Sequence, residues 1–320
     1  MPQVRHFTYG SADRKTQIHA VEWRPEGEIR GILQIAHGML EYIERYDRFA
    51  RFLNEKGILV VGNDHLGHGA SVSSGEKYGY FAEKNGNKAL LSDMRELQRL
   101  TQERYPERPY FLLGHSMGSF LTRQYLCLYG SYLDGAVICG TGWHSGLEAG
   151  LGMFLCRAIA SVKGWNHRSR LMTRMVVGNF NRKFQPSRTP DDWISRDEAE
   201  VDKYRGDSRT RFVFTLNAYY NLFVSLKYIS DPANLRKMPK QLPVFFISGE
   251  RDPVGNFGLG VKKAAVSFRS AGMRRVECRL YPNDRHEILN ELDRQMVYQD
   301  VWDWMSPLLS SFPKSNGGMI

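Results

Sequence analysis

The residues best placed to do chemistry in this chain are Gly114-His115-Ser116-Met117-Gly118, which follow the apolar run Tyr110-Phe111-Leu112-Leu113. A serine flanked by glycines two positions away on either side, after a strand and before a helix, reads as a nucleophile held on a sharp strand-to-helix turn. The helix is expected over Phe120 to Tyr129, where Phe120, Leu121, Tyr125 and Leu126 recur at helical spacing and Gly130 ends the run. Glycine is about 7% of residues in ordinary proteins, so the five-residue pattern alone arises by chance in roughly one chain in ten of this length. The assignment therefore needs partners elsewhere in the chain.

A serine hydroxyl is a poor nucleophile at neutral pH and requires a base to take its proton and an acid to orient that base. Where such a turn tops a parallel sheet, the acid and then the histidine follow the serine along the chain. Of nine histidines, His144, His167 and His286 follow Ser116. The first two fall in a predicted insertion. His286 ends Tyr281-Pro282-Asn283-Asp284-Arg285-His286, directly after the last predicted strand, and is the expected base. The expected acid is Asp252, in the turn Ser248-Gly249-Glu250-Arg251-Asp252-Pro253 that follows a strand at Pro243 to Ile247, with Glu250, Asp284 and Asp231 as rivals. Acyl transfer also needs donors for the developing oxyanion. The amide of Met117 is one, and Met39 in His37-Gly38-Met39-Leu40-Glu41 is the other, with Gly38 permitting close backbone approach. This chemistry calls for no metal or organic cofactor, and no metal-ligand spacing is found.

The elements that must position these residues alternate between strand and helix. His6 to Tyr9 and Gln17 to Trp23 read as an antiparallel pair, and Gly31 to Ala36 and Ile58 to Gly62 as buried strands. Helices are expected over Arg45 to Lys56 and over Asn87 to Arg104, the latter from the spacing of Leu90, Leu91, Met94, Leu97 and Leu100. Gly135 to Cys139 and Val276 to Tyr281 complete the strands, and Glu287 to Leu309 is expected as a closing helix. The alternation predicts an α/β fold with a mostly parallel central sheet covered by helices on both faces. Residues 141–235 show almost no strand-like alternation. Leu151 to Val162, Leu171 to Val177 and Thr210 to Ile229 read as helices, with a short one beginning at Asp197 to Asp202. The predicted organisation is a core of 1–140 and 236–313, a helical cap of 141–235 lying over the carboxyl ends of the strands, and a flexible tail at 314–320.

The charge of +10 raises nucleic acid as a partner, yet basic and acidic residues are interspersed and no nucleic-acid-binding motif is found, so none is expected. The exception is Arg157 to Arg188, which carries eight Lys and Arg residues and no Asp or Glu, interleaved with Ile159, Trp165, Leu171 and Met175. Basic and apolar together predict peripheral contact with an anionic lipid surface. The first residues lack the apolar core of a signal peptide, and no apolar run reaches the ~18 residues needed to span a bilayer, so a cytoplasmic location is expected. Cys127, Cys139, Cys156 and Cys278 read as reduced core or near-core residues.

Five ordered motifs give the chain a further likeness: His37-Gly38 with Glu41 and Arg45-Tyr46, Asp64-His65-Leu66-Gly67-His68-Gly69-Ala70-Ser71, Gly114 to Gly118, Ser248-Gly249 with Asp252, and His286. In these the chain resembles the monoacylglycerol lipase and lysophospholipase-like branch of the serine α/β-hydrolases, also grouped with serine aminopeptidases. The resemblance implies an α/β-hydrolase fold with a cap that admits a lipid-like acyl chain, a Ser116, Asp252 and His286 triad, and oxyanion amides at Met39 and Met117. It also implies hydrolysis of monoacylglycerols, lysophospholipids or similar single-chain esters through an acyl-enzyme. Leu40 and Ser119 stand where the family commonly has glycine, and both are expected to narrow the acyl pocket. The stretch Asp64 to Ser71 is expected to be structural. An aminopeptidase or amidase using Glu198, Glu200 and Asp202 to hold a substrate amine is the alternative reading, and a catalytically silent binding protein on the same fold is a third.

Overall fold

The computed structural model describes residues 3–72 and 78–309, so the expected tail at 314–320 lies outside the described residues. Eight strands form one sheet: β1 (Gln3–Gly10), β2 (Gln17–Arg24), β3 (Gly31–Ala36), β4 (Ile58–Asn63), β5 (Tyr110–His115), β6 (Gly135–Cys139), β7 (Val244–Gly249) and β8 (Val276–Tyr281). Their spatial order is β1-β2-β4-β3-β5-β6-β7-β8. β1 and β2 pair antiparallel, β2 meets β4 antiparallel, and every pairing from β4 to β8 is parallel.

Every residue of β3, β4, β5, β6 and β7 is buried, as expected for continuous apolar strands covered on both faces. The period of two divides their side chains between two cores. Ile32, Leu112 and Ile138 join α2 (Gly86–Arg104), α3 (Met117–Tyr129) and α9 (Leu259–Ser270) on one face. Leu33, Leu113 and Val137 join α1 (Asp47–Asn54) and α10 (Arg294–Leu309) on the other.

Register makes the site. Ala36 lies opposite Gly114, His115 opposite Cys139, Cys139 opposite Ile247, and Gly249 opposite Tyr281. The loops after β3, β5, β6, β7 and β8 therefore leave the sheet at one edge, and these loops carry Met39, Ser116, Gly140, Asp252 and His286.

Between β6 and β7 the chain forms only helices: α4 (Gly146–Lys163), α5 (Arg170–Val176), α6 (Glu198–Gly206), α7 (Leu216–Ile229) and α8 (Pro232–Leu235), with a 3₁₀ turn at Phe180–Lys183. α4 packs on α7, and α7 in turn rests on α3, the helix that follows Ser116. Three expectations are corrected. The helix expected over Thr210 to Ile229 begins at Leu216, as α7. The helix expected from Arg45 is a 3₁₀ turn, Ile43–Tyr46, running into α1. The closing helix begins at Arg294 rather than Glu287, because Glu287 and Glu291 are drawn out of helical register by arginines described below.

Candidate active site

Ser116 sits at φ 52°, ψ −119°, a conformation that costs an L-residue energy and persists only where its surroundings enforce it. Strand β5 enters on one side and α3 leaves on the other, and the Ser116 amide donates to the Cys139 carbonyl at 3.0 Å. The flanking glycines are there for space. A Cβ on Gly118 would lie 2.0 Å from the Ala36 carbonyl oxygen, and one on Gly114 would lie 2.3 Å from that of Gly118. Met117 opens α3, so its amide is among those that a helix leaves without an internal partner.

His286 Nδ1 lies 3.0 Å from Asp252 Oδ1, with both side chains buried. The carboxylate also accepts from the Ser248 hydroxyl at 3.1 Å and from the Val254 amide at 2.9 Å, which fixes its orientation. An Nδ1–H donated to Asp252 leaves the Nε2 lone pair of His286 free to act as a base. The imidazole is packed between two rings, His115 at 4.7 Å and Trp193 at 5.1 Å between centroids. The rival acids are elsewhere or engaged: Glu250 is exposed, Asp231 caps α8, and Asp284 pairs with Arg196. His144 packs against Phe120 instead.

The loop after β3 is held from beneath. Gly38 donates its amide to Glu41, and a Cβ on Gly38 would stand 2.9 Å from that of Ser116, so glycine lets the loop touch the serine. Glu41 also accepts from Tyr46 at 3.0 Å, pairs with His115 at 2.9 Å, and lies 3.5 Å from Arg45, which grips Glu287 with two bonds of 2.7 and 2.8 Å. Burial would lower the His115 pKa, but the charge and hydrogen bond of Glu41 outweigh it and leave it raised; reciprocally, despite burial, His115 and Arg45 hold Glu41 well below the carboxylate range.

Below this layer the rings of His37 and His65 lie 4.3 Å apart, and those of His37 and His68 5.1 Å. Burial drives all three pKa values down, to about 3 for His65 and about 4 for His68. Neutral, buried rings that do not line the cavity at Ser116 fit the structural reading of Asp64 to Ser71.

Ser116, His286 and Met39 line one cavity of about 630 Å³. Leu40 projects into it too, at φ 59°, which explains why glycine suits this position. Ser119 does not: its buried hydroxyl turns back to the Ser116 carbonyl at 2.6 Å, so the expectation that it narrows the pocket is corrected. The opposite wall comes from the insertion, with Val177, Phe180, Trp193 and Ile194. The insertion carboxylates considered for an amine are occupied, Glu198 and Asp202 by Arg188 and Glu200 by Arg48. Sequence reasoning missed the bracing role of Glu41 and the contact of Trp193 with His286. Glu41 carried a signal in its spacing from His37-Gly38, whereas Trp193 lies 93 residues from His286 and carried none.

An elbow serine and a histidine–carboxylate pair at the carboxyl edge of this sheet define a serine α/β-hydrolase. The chain belongs to the family described as serine aminopeptidase, S33, whose model matches residues 27–293. It is 26% identical over 288 residues to a monoacylglycerol lipase of Mycolicibacterium smegmatis, covering 88% of this chain and 90% of that protein. It is 24% identical over 295 residues to a monoglyceride lipase of Mus musculus, covering 89% and 85%. Among solved structures it is similar to a thermostable carboxyl esterase from Bacillus coagulans, with a TM-score of 0.89, 28% identity and coverage of 96% and 99%. The protein is a hydrolase of the monoacylglycerol lipase-like type, and the silent reading is set aside. Among the described residues no helix is long and apolar enough to cross a membrane.

Proposed function

We propose that this enzyme hydrolyses monoacylglycerols, lysophospholipids or similar single-chain esters through a covalent acyl-enzyme. Ser116 attacks the ester carbonyl, His286 takes its proton and later passes it to the leaving alcohol, and Asp252 orients and stabilises the imidazolium. The amides of Met39 and Met117 bind the oxyanion. A water activated by His286 then releases the fatty acid. The observation that carries this reading is the strained Ser116 facing the same cavity as a His286 paired to a buried Asp252. Relatives named monoacylglycerol or monoglyceride lipase support the substrate class.

Residues 141–235 act in this reading as a cap over the core of 1–140 and 236–313. The cap also offers a lipid-facing surface: Leu147, Leu151, Phe154 and Val162 lie exposed along α4, and Lys163, Arg170 and Arg174 are exposed nearby in sequence. Ser116→Ala is expected to abolish ester turnover and fluorophosphonate labelling with the melting temperature retained; persistence of either would overturn the nucleophile. A panel of aryl esters, monoacylglycerols, lysophospholipids and aminoacyl amides tests the substrate class, which fails if the amides are cleaved faster than the glyceryl esters.

A further inference from the structure

The proposed base stands on a loop that no helix or strand fixes. From Pro282 to Asp293 the chain forms only turns and one 3₁₀ turn at Ile288–Asn290, so side chains share with a few backbone bonds, such as that of the Arg251 amide to the Asp284 carbonyl at 2.9 Å, the task of holding His286 in place. Three of those side chains are acids packed against one another. Asp284 lies two residues before His286, Glu291 and Asp293 lie beyond it, and their oxygens come within 4.8 Å of one another, with Asp284 and Glu291 buried.

The countercharge comes from the insertion. Arg196 donates from Nη2 to Asp284 and, at 2.7 Å, to Asp293, and from Nε to Glu291 at 3.1 Å. Its backbone amide donates to Glu291 at 3.0 Å, and the same Glu291 oxygen accepts the Arg285 amide at 2.9 Å. A single guanidinium thereby ties the segment before His286 to the segment after it. The neighbouring insertion backbone follows suit: the Trp193 carbonyl accepts from His286 at 3.3 Å and the Ile194 carbonyl from Glu287 at 2.8 Å, with the Trp193 ring lying on the imidazole.

We propose that Arg196 is a positioning residue for His286, and that the insertion is thus part of the mounting of the base as well as a wall of the cavity. This rests on the Ser116, Asp252 and His286 reading above. Arg196 is the side chain that donates to all three acids at once. Burial first, then its hydrogen bond with Asp293 and the charges of Glu291 and Asp293, push Asp284 up to about 8, which leaves its carboxyl protonated near pH 7. Without Arg196 the segments before and after His286 would lose their shared donor and carry His286 away from Asp252 and Ser116. An amide at 284 would hold them together, because its NH2 donates to a neighbouring carboxylate at every pH.

The test uses the full chain with p-nitrophenyl butyrate and a fluorophosphonate, and compares Arg196→Gln, Arg196→Lys, Asp284→Asn and the double variant Arg196→Gln/Asp284→Asn. Arg196→Gln is expected to lower kcat by about 10²-fold, the scale of a misplaced catalytic group, with KM changed by less than about 3-fold and Ser116 labelling slowed in parallel. The added Asp284→Asn should recover most of that loss. Arg196→Lys, which keeps the charge without the fork, should be intermediate and serves if Arg196→Gln does not fold. Unchanged kcat in both Arg196 variants, or a loss that Asp284→Asn leaves unrepaired, overturns the inference. Ser116→Ala separates the two claims: if it retains turnover the triad reading falls, whereas an inactive Ser116→Ala beside a fully active Arg196→Gln removes only the role of Arg196.

Discussion

At the scale of single residues, the site shows how much buried charge stands behind one backbone loop. In the proposed mechanism Met39 is useful as a donor only if its loop is rigid, and Glu41 braces that loop by binding the Gly38 amide, Tyr46 and His115 at once. Exchanging Glu41 for glutamine keeps the shape but places a donor against donors and leaves the His115 side without its anion. Removing one member of a buried pair costs about 3 to 5 kcal/mol, so Glu41→Gln is expected to lose stability on that scale in urea melts. Its kcat should fall by about 10- to 100-fold as the oxyanion loop loosens. Wild-type kcat in a folded Glu41→Gln enzyme would show that the loop holds itself.

At the scale of elements, the helices of the insertion serve two faces. Gly152 on α4 leaves room for the Phe223 ring of α7, since a Cβ there would lie 2.6 Å from it, so one side of α4 is packed. The other side presents Leu147 at 88%, Phe154 at 66% and Val162 at 84% exposure, apolar surface that packing among the described residues does not use. Replacing Leu151 and Phe154 with glutamate is therefore expected to leave the melting temperature within about 2 °C, because little buried area is lost. Co-sedimentation with vesicles containing phosphatidylserine should drop sharply. Binding that is equal for anionic and neutral vesicles, or unaffected by the substitutions, would remove the lipid-facing role of α4.

For the whole molecule, the buried histidines make stability depend on pH in a definite direction. His65 and His68 are neutral in the fold, with pKa values of about 3 and about 4, whereas an unfolded chain protonates histidine below about 6.5. The unfolded state then binds more protons, so the stabilisation is complete above pH 6.5 and is lost as pH falls through the interval down to about 4. Each of the two contributes a slope of about 1.4 kcal/mol per pH unit. Urea midpoints measured at pH 7 and pH 5 should differ accordingly, with the difference reduced in a His68→Asn variant. Equal midpoints at the two pH values would mean that these rings gain protons without leaving the fold.

What was legible in the sequence was whatever depends on local pattern. Apolar runs bounded by turn residues located β3, β6 and β8 to the residue, and the glycines around Ser116 announced the elbow, because steric demands on a strained turn act on immediate neighbours. That Ser116, Asp252 and His286 would meet at one edge could be read because a parallel sheet brings the carboxyl ends of its strands together. Boundaries were lost where long-range charge won over local propensity: Glu287 to Asp293 has helical spacing, but Arg45 and Arg196 hold Glu287 and Glu291 outside α10. Tertiary structure alone decided which buried charges brace the site and which insertion residues touch His286. Arg196 lies 95 residues from Glu291, and no periodicity along the chain encodes that meeting. Hydrogen bonds and ion pairs of this kind are fixed by distance in space, which only the packed sheet and the insertion above it determine.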